Sequence, residues 1–407
     1  MFHVPRTAGG HPRLILGVTA AIAVGASAWA AVKTVAAPRL PVPTASAPPE
    51  RAPLKVVENL PILKARLDRG DFMGGVLVSR GDQVLFRQVY GMANRERGEP
   101  LALDSRFRLA SVSKQFTTAA ILKLQDEGKL SVADPLCKWI QPCPEAWGPI
   151  RLHHLMSHTS GVPDLMAQAE WGRIRATPRT PQELTEATAR YRLQFEPGTK
   201  VRYSNAGFNL LGVVVEKASG VSYETYLKQA LFDPLGLDHT GSDADDRTQG
   251  LVMGYGDFPG GLTPQPLANV SIVFASGALY SSLDDLMIWN RALHGGAVLT
   301  PFSYAQMIAD HAPEDTPRER GRQRRAYGYG LYVNSLGMRT DAPFADAQIY
   351  HTGSWAGFRN LVVHEPEHDV TVVVLSNNYH RRDQVMLITQ QALAEALGKP
   401  VPTRLAN

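Results

Sequence analysis

The sequence predicts an α/β fold: an antiparallel sheet formed from both chain ends with flanking helices, plus a mostly helical subdomain. Three observations carry this. Short β-branched runs bounded by turn residues occur near the start and again near the end of the folded part. A helical pattern broken by Pro and Gly fills much of the interval between, about 131–270. Just after the first strands lies a helix that is apolar nearly all the way round, which belongs inside a protein rather than on its surface.

The first strands are Gly75-Val-Leu-Val-Ser79 and Gln83-Val-Leu-Phe-Arg-Gln-Val-Tyr90, joined by the turn Arg80-Gly81-Asp82. From Val112 the spacing becomes helical. No residue between Lys114 and Lys123 is charged, and Phe116, Ala119, Ala120, Ile121, Leu122 and Leu124 cover most of the circumference, with Gly128 as the stop. Further helices read at Ala206–Ala218 and Tyr223–Leu231. Strands return at Phe358–His364 and Val370–Leu375, separated by the turn Glu365-Pro-Glu-His-Asp369. A last helix, about Asp383–Leu397, carries Val385, Met386, Ile388, Leu393 and Leu397 on one face.

Of the 407 residues, 44% are hydrophobic and 20% charged, the balance of a globular chain. Arg6 and Arg13 precede an apolar, Ala-rich run from Leu14 to Val32, and Ala26-Ser27-Ala28 and Ala28-Trp29-Ala30 have the small-x-small form of a signal cleavage site. Residues 1–32 therefore read as a signal peptide or an N-terminal membrane anchor. Either exports the remainder to the periplasm or beyond, the second tethering it to the membrane. Residues 33–55 read as a Pro/Ala-rich linker, with six prolines from Ala37 to Pro53. The folded domain is expected over 56–398, followed by a tail at 399–407. Cys137 and Cys143 are the two cysteines; in an exported chain they suit a small disulfide loop, the alternative being two free thiols. The net charge is +4, and no helix-turn-helix, zinc-finger or RRM signature accompanies it, so nucleic acid is not an expected partner.

Three short motifs carry chemistry. In Ser111-Val-Ser-Lys114 the hydroxyl sits where the apolar helix begins, and the amine follows one turn later on the same face. A desolvated lysine loses basicity and can then accept the serine proton. Tyr203-Ser204-Asn205 follows the turn Glu196-Pro197-Gly198-Thr199 and opens a helix; a phenol can relay a proton, and an amide can both donate and accept. His351-Thr352-Gly353-Ser354 runs into the late hairpin, where a strand edge of small residues can bind a substrate backbone and offer an N–H to an oxyanion.

In this order the motifs resemble the signature of the penicillin-recognising serine hydrolases, whose Ser-x-x-Lys and Lys-Thr-Gly pieces are documented. The neighbouring text resembles the branch of class C β-lactamases, D-alanyl-D-alanine peptidases and family VIII esterases. It includes Phe107-Arg-Leu-Ala-Ser111, Leu155-Met-Ser-His-Thr-Ser-Gly161-Val-Pro, Pro234-Leu-Gly-Leu237 and Ala275-Ser-Gly277. The likeness spans roughly residues 56–398. It implies a β-lactamase/transpeptidase-like fold in which Ser111 forms an acyl-enzyme. Lys114 and Tyr203 would manage protons, with the choice of base open. Asn205 would hold the substrate amide, and the N–H groups of Ser111 and Ser354 would bind the oxyanion. His351 departs from the usual Lys and is expected to be a weaker cation that titrates near neutrality, which tilts the reading from β-lactam turnover toward peptide or ester hydrolysis. The implied partner is a small-molecule or cell-wall peptide substrate, with no metal or organic cofactor.

Other patterns read as structural. His239-Thr240-Gly241-Ser242 repeats the late motif but leads into an acidic loop, and Tyr332-Val-Asn334 lies in a strand. His364-Glu-Pro-Glu-His368 matches a zinc-protease pattern in letters only, since Pro366 breaks any helix there. His153 and His154 are expected to diverge, and His158 to be structural. The five arginines of 318–325 read as a solvated loop, the sharper alternative being that this loop overhangs the cleft and favours acidic substrates. A non-catalytic penicillin- or cell-wall-binding module is the reading of another class.

Overall fold

The computed structural model describes residues 56–57, 59–243, 250–265, 269–313 and 326–406. The N-terminal segment, the linker, the arginine run 318–325 and the acidic residues after Asp243 lie outside the described residues.

Six strands form one antiparallel sheet: β1 (Gly74–Arg80), β2 (Gln83–Tyr90), β3 (Tyr332–Asn334), β4 (Gln348–Trp355), β5 (Phe358–Glu365) and β6 (Val370–Ser376). Their order is β3-β4-β5-β6-β1-β2, so the first hairpin joins the last strands edge to edge. The ladder from β1 to β6 runs unbroken from Gly74↔Ser376 to Arg80↔Val370. Every residue of β6 is buried, because the sheet is covered on both faces. Strand alternation sorts the side chains. Leu77, Ile349, Val362, Val373 and Leu375 enter one core, while Val76, Val78, Leu361, Val363, Val372 and Val374 enter the other.

Helices α1 (Pro61–Leu67), α2 (Lys114–Asp126), α3 (Asn205–Ser219), α4 (Leu283–His294) and α5 (Arg382–Ala396) position the rest. α1 and α5 serve the second core. α2, α3 and α4 serve the first, and α2 is buried around almost its whole surface, with Phe116 stacked on Trp289 at 4.1 Å. The stretch read as a helix over Tyr223–Leu231 is α-helical to Leu227 and then widens to a π-turn. Gly241 and Ser242, expected in a loop, form a short strand paired with Tyr280 and Leu279. That pairing depends on residues far along the chain, which local pattern does not reveal. Cys137 and Cys143 are joined in a disulfide.

The approach to Ser111 is fastened by an ion pair. Arg108, in the short strand Phe107–Arg108, holds Asp243 through Nε at 2.8 Å and Nη2 at 2.6 Å, and both side chains are buried. Deleting the carboxylate removes the oxygen that two nitrogens of a buried guanidinium share. We expect Asp243→Ala to lower unfolding stability by about 3–5 kcal/mol, measured by urea titration.

Candidate active site

Ser111 lies in the tight turn Ala110–Ser113 that leads into α2. Ala110 has a φ of 52°, a left-handed conformation uncommon for a residue with a Cβ, and this bend carries the chain from the Phe107–Arg108 strand into the helix. One turn into α2, Lys114 is 0% exposed. Its Nζ lies 3.1 Å from Ser111 Oγ, 2.8 Å from Asn205 Oδ1 and 2.7 Å from the Ser276 carbonyl. Burial lowers its pKa to about 7, against an opposing pull from the Asp164 carboxylate. A neutral amine has fewer N–H groups than it has neighbours here. Asn205 Oδ1 and Ser276 O can only accept, so they take the N–H groups and the lone pair is left for Ser111.

Tyr203 donates its hydroxyl to Ser111 Oγ at 2.6 Å. Burial of the phenol, reinforced by Tyr332, raises its pKa well above the ordinary tyrosine value, so it stays protonated and acts as a donor. The next residues start α3: Ser204 Oγ caps it by accepting from Gly207 N–H at 3.2 Å. Asn205 spans the site, its Oδ1 on Lys114 and its Nδ2 donating to Asp164 Oδ2 at 2.8 Å. Both ends of the amide expected to hold substrate are thus engaged within the protein.

β4 closes the other side. The alternation that buries Ile349 puts His351 and Gly353 on the face of α2 and Thr352 on the opposite face, where it lines a cavity of about 210 Å³ with Arg359 and Arg382. A Cβ on Gly353 would stand 2.2 Å from the Leu109 carbonyl; the glycine lets β4 press against the turn that holds Ser111. β3 pairs with β4 only from Gln348 to Tyr350. From His351 onward that edge has no strand partner among the described residues.

His351 corrects one expectation. Its ring is buried, donates from Nδ1 to the Thr352 carbonyl at 2.7 Å and faces the Tyr327 hydroxyl at 3.3 Å. Burial, with the Lys114 charge nearby, lowers its pKa to about 3, so it is neutral near pH 7 rather than a titrating cation. The histidines expected to be structural divide. His158 packs 4.3 Å from the Tyr203 ring and accepts from Ser204 N–H at 3.2 Å, while its carbonyl accepts from Arg202 N–H, so it clamps the Tyr-Ser-Asn segment. His153 and His154 do not diverge as expected; their rings stand 4.0 Å apart, because His154 folds back to accept from Arg151 N–H. Tyr332 lies in β3, as read, but its ring is also 5.4 Å from His351.

The zinc-like pattern does not converge. His364 stacks on His294 at 4.0 Å in the core, while His368 pairs with Glu365 in the turn. Donor atoms of Asp346, Glu365, Glu367 and His368 lie within 4.8 Å of one another, but Glu365 accepts from the turn N–H groups of Glu367 and His368, and Asp346 holds Lys399.

Sequence reasoning missed Asp164 and the Ser276 carbonyl. Gly212 of α3 lies so close to Ala275 that a Cβ there would stand 2.5 Å away, and Asn209 Oδ1 accepts from Ser276 N–H at 3.2 Å; together they deliver the carbonyl to Lys114.

Residues 62–396 match the model of the beta-lactamase family. The chain belongs to this family of serine hydrolases. Among relatives, it is 27% identical to penicillin-binding protein 4* of Bacillus subtilis over 84% of this chain and 76% of that one. It is also 27% identical to a D-aminopeptidase of Gluconobacter oxydans, over 80% of this chain and 59% of the longer relative. Among solved structures, a penicillin-binding protein from Bacillus halodurans superposes with a TM-score of 0.67 at 28% identity, covering 82% of this chain and 98% of that one. A D-amino acid amidase from Ochrobactrum anthropi shares the fold, with a TM-score of 0.70 at 20% identity over 84% of this chain and 98% of that one.

The contact between Gly353 and Leu109 yields a test. Gly353→Ala forces β4 away from the turn that holds Ser111, and we expect labelling by a fluorophosphonate to slow by about a hundredfold while the far-ultraviolet circular dichroism stays unchanged.

Proposed function

We propose that the protein is an exported acyl-serine hydrolase, with Ser111 as nucleophile and Lys114 as acylation base, acting on peptide bonds of the D-alanyl-D-alanine type. The observation that carries this is the buried amine 3.1 Å from Ser111 Oγ, with a phenol donating to the same oxygen. Ser111 Oγ attacks the substrate carbonyl as its proton passes to Lys114 Nζ. The oxyanion is met by the N–H groups of Ser111 and Ser354. The proton then returns through Lys114 or Tyr203 to the leaving group as the scissile bond breaks. Water enters by the reverse route, gives its proton to the base and releases the acid from Ser111.

The β4 edge beyond Tyr350, which has no strand partner among the described residues, supports a peptide substrate that would lie along it as an added strand. Thr352, Gly353 and Ser354 would bind its backbone, and His351 would shape the site as a neutral ring. The likeness to penicillin-binding proteins and to a D-aminopeptidase supports the same class. Ester hydrolysis is the second reading. A neutral His351 removes the cation that would hold a substrate carboxylate, which an ester does not need. The disulfide and the apolar N-terminal run support export.

Treating the full chain with a fluorescent penicillin and with a fluorophosphonate tests this. Label is expected on Ser111, lost in Ser111→Ala. Stable penicillin labelling identifies a peptidase, rapid turnover of short esters an esterase, and rapid release of opened penicillin a β-lactamase. No label from either probe would leave a binding module and sink the proposal. The pH dependence has a definite sign. Below about pH 7 Lys114 is an ammonium and accepts no proton, so the labelling rate should rise through about pH 7 and then level off.

A further inference from the structure

Asn205 is locked before any substrate arrives. A carboxylate can only accept hydrogen bonds, so Asp164 admits one orientation of the amide: Nδ2 toward Asp164 Oδ2 at 2.8 Å, Oδ1 toward Lys114 Nζ at 2.8 Å. Turning the amide over would set oxygen against oxygen at one end and N–H groups against N–H groups at the other. Asp164 is itself fixed. Its Oδ1 accepts from Met166 N–H at 3.1 Å, and its carbonyl accepts from Gln168 Nε2 at 3.0 Å. Met166 Sδ, 3.4 Å from Asn205 Nδ2, backs the amide from the same turn.

We propose that Asp164 is a positioning residue for acylation: through Asn205 it fixes the acceptor that orients the Lys114 amine, and it places a negative charge one amide away from that amine. This rests on Ser111 and Lys114 being the acylating pair. The groups that face Lys114 from the packed elements are Ser111 and Tyr203, the Ser276 carbonyl, the rings of His158 and His351, and Asp164. The tyrosine and both rings are neutral near pH 7, held so mainly by burial. The Asp164 carboxylate is thus the charge in this set that stabilises the ammonium.

Two substitutions separate orientation from charge. Asp164→Asn keeps an oxygen that can accept from Asn205 but removes the charge. Asp164→Ala removes both. The measurement is the rate of fluorophosphonate labelling of Ser111 in the full chain across pH. In Asp164→Asn the acid limb should move to lower pH by about half a unit or more, because the ammonium has lost its carboxylate. Its plateau should stay within a few-fold of the parent. In Asp164→Ala the plateau itself should fall about tenfold or more, because the released amide no longer presents Oδ1 to Lys114. A residue with a merely structural role would not move the limb. An acid limb of Asp164→Asn that overlays the parent, or an Asp164→Ala plateau equal to the parent's, overturns the proposal. Labelling that survives in Ser111→Ala would instead sink the acylating pair, a separate failure.

Discussion

A primary amine buried away from bulk solvent is the constraint on which the site depends. Taking an ammonium out of water is costly, and the cost falls when the group neutralises and its hydrogens find acceptors. Lys114 meets both conditions. Asn205 Oδ1 and the Ser276 carbonyl take its N–H groups, and Ser111 Oγ is left at the lone pair. Burial here lowers the pKa of the amine to about 7.

Much of the architecture serves those contacts. α2 must be buried so that Lys114 is shielded from bulk solvent, in keeping with the uncharged run after it. α3 must begin at Asn205, which Ser204 ensures as its cap. The close approach of Gly212 to Ala275 delivers a carbonyl that no side-chain substitution can remove. On the far side, Gly353 keeps β4 against the turn that holds Ser111.

Legibility from sequence followed the range of the interaction. The sheet from both chain ends was readable because β-branched runs such as Val370–Leu375 state their own conformation. Ser111, Lys114, Tyr203 and Asn205 were readable as candidates because each lies in a short motif, and the structure brings the four into one hydrogen-bonded group. Asp164 was not, since a lone carboxylate after Val162-Pro163 gains meaning only when α3 delivers an amide to it. The Ser276 carbonyl carries no side-chain signal at all. The charge of His351 was misjudged because residue type fixes an ordinary pKa, and only three-dimensional burial shows how far it moves.

The ladder joining β1 to β6 has a temporal consequence. A ribosome releases Gly74 some three hundred residues before Ser376, so the central strands cannot zip until both have emerged; such distant pairing makes for slow folding. His351 and Gly353 arrive in the same late instalment. A nascent chain that stops short of β4 would therefore carry Ser111 and Lys114 without the strand that packs against their turn.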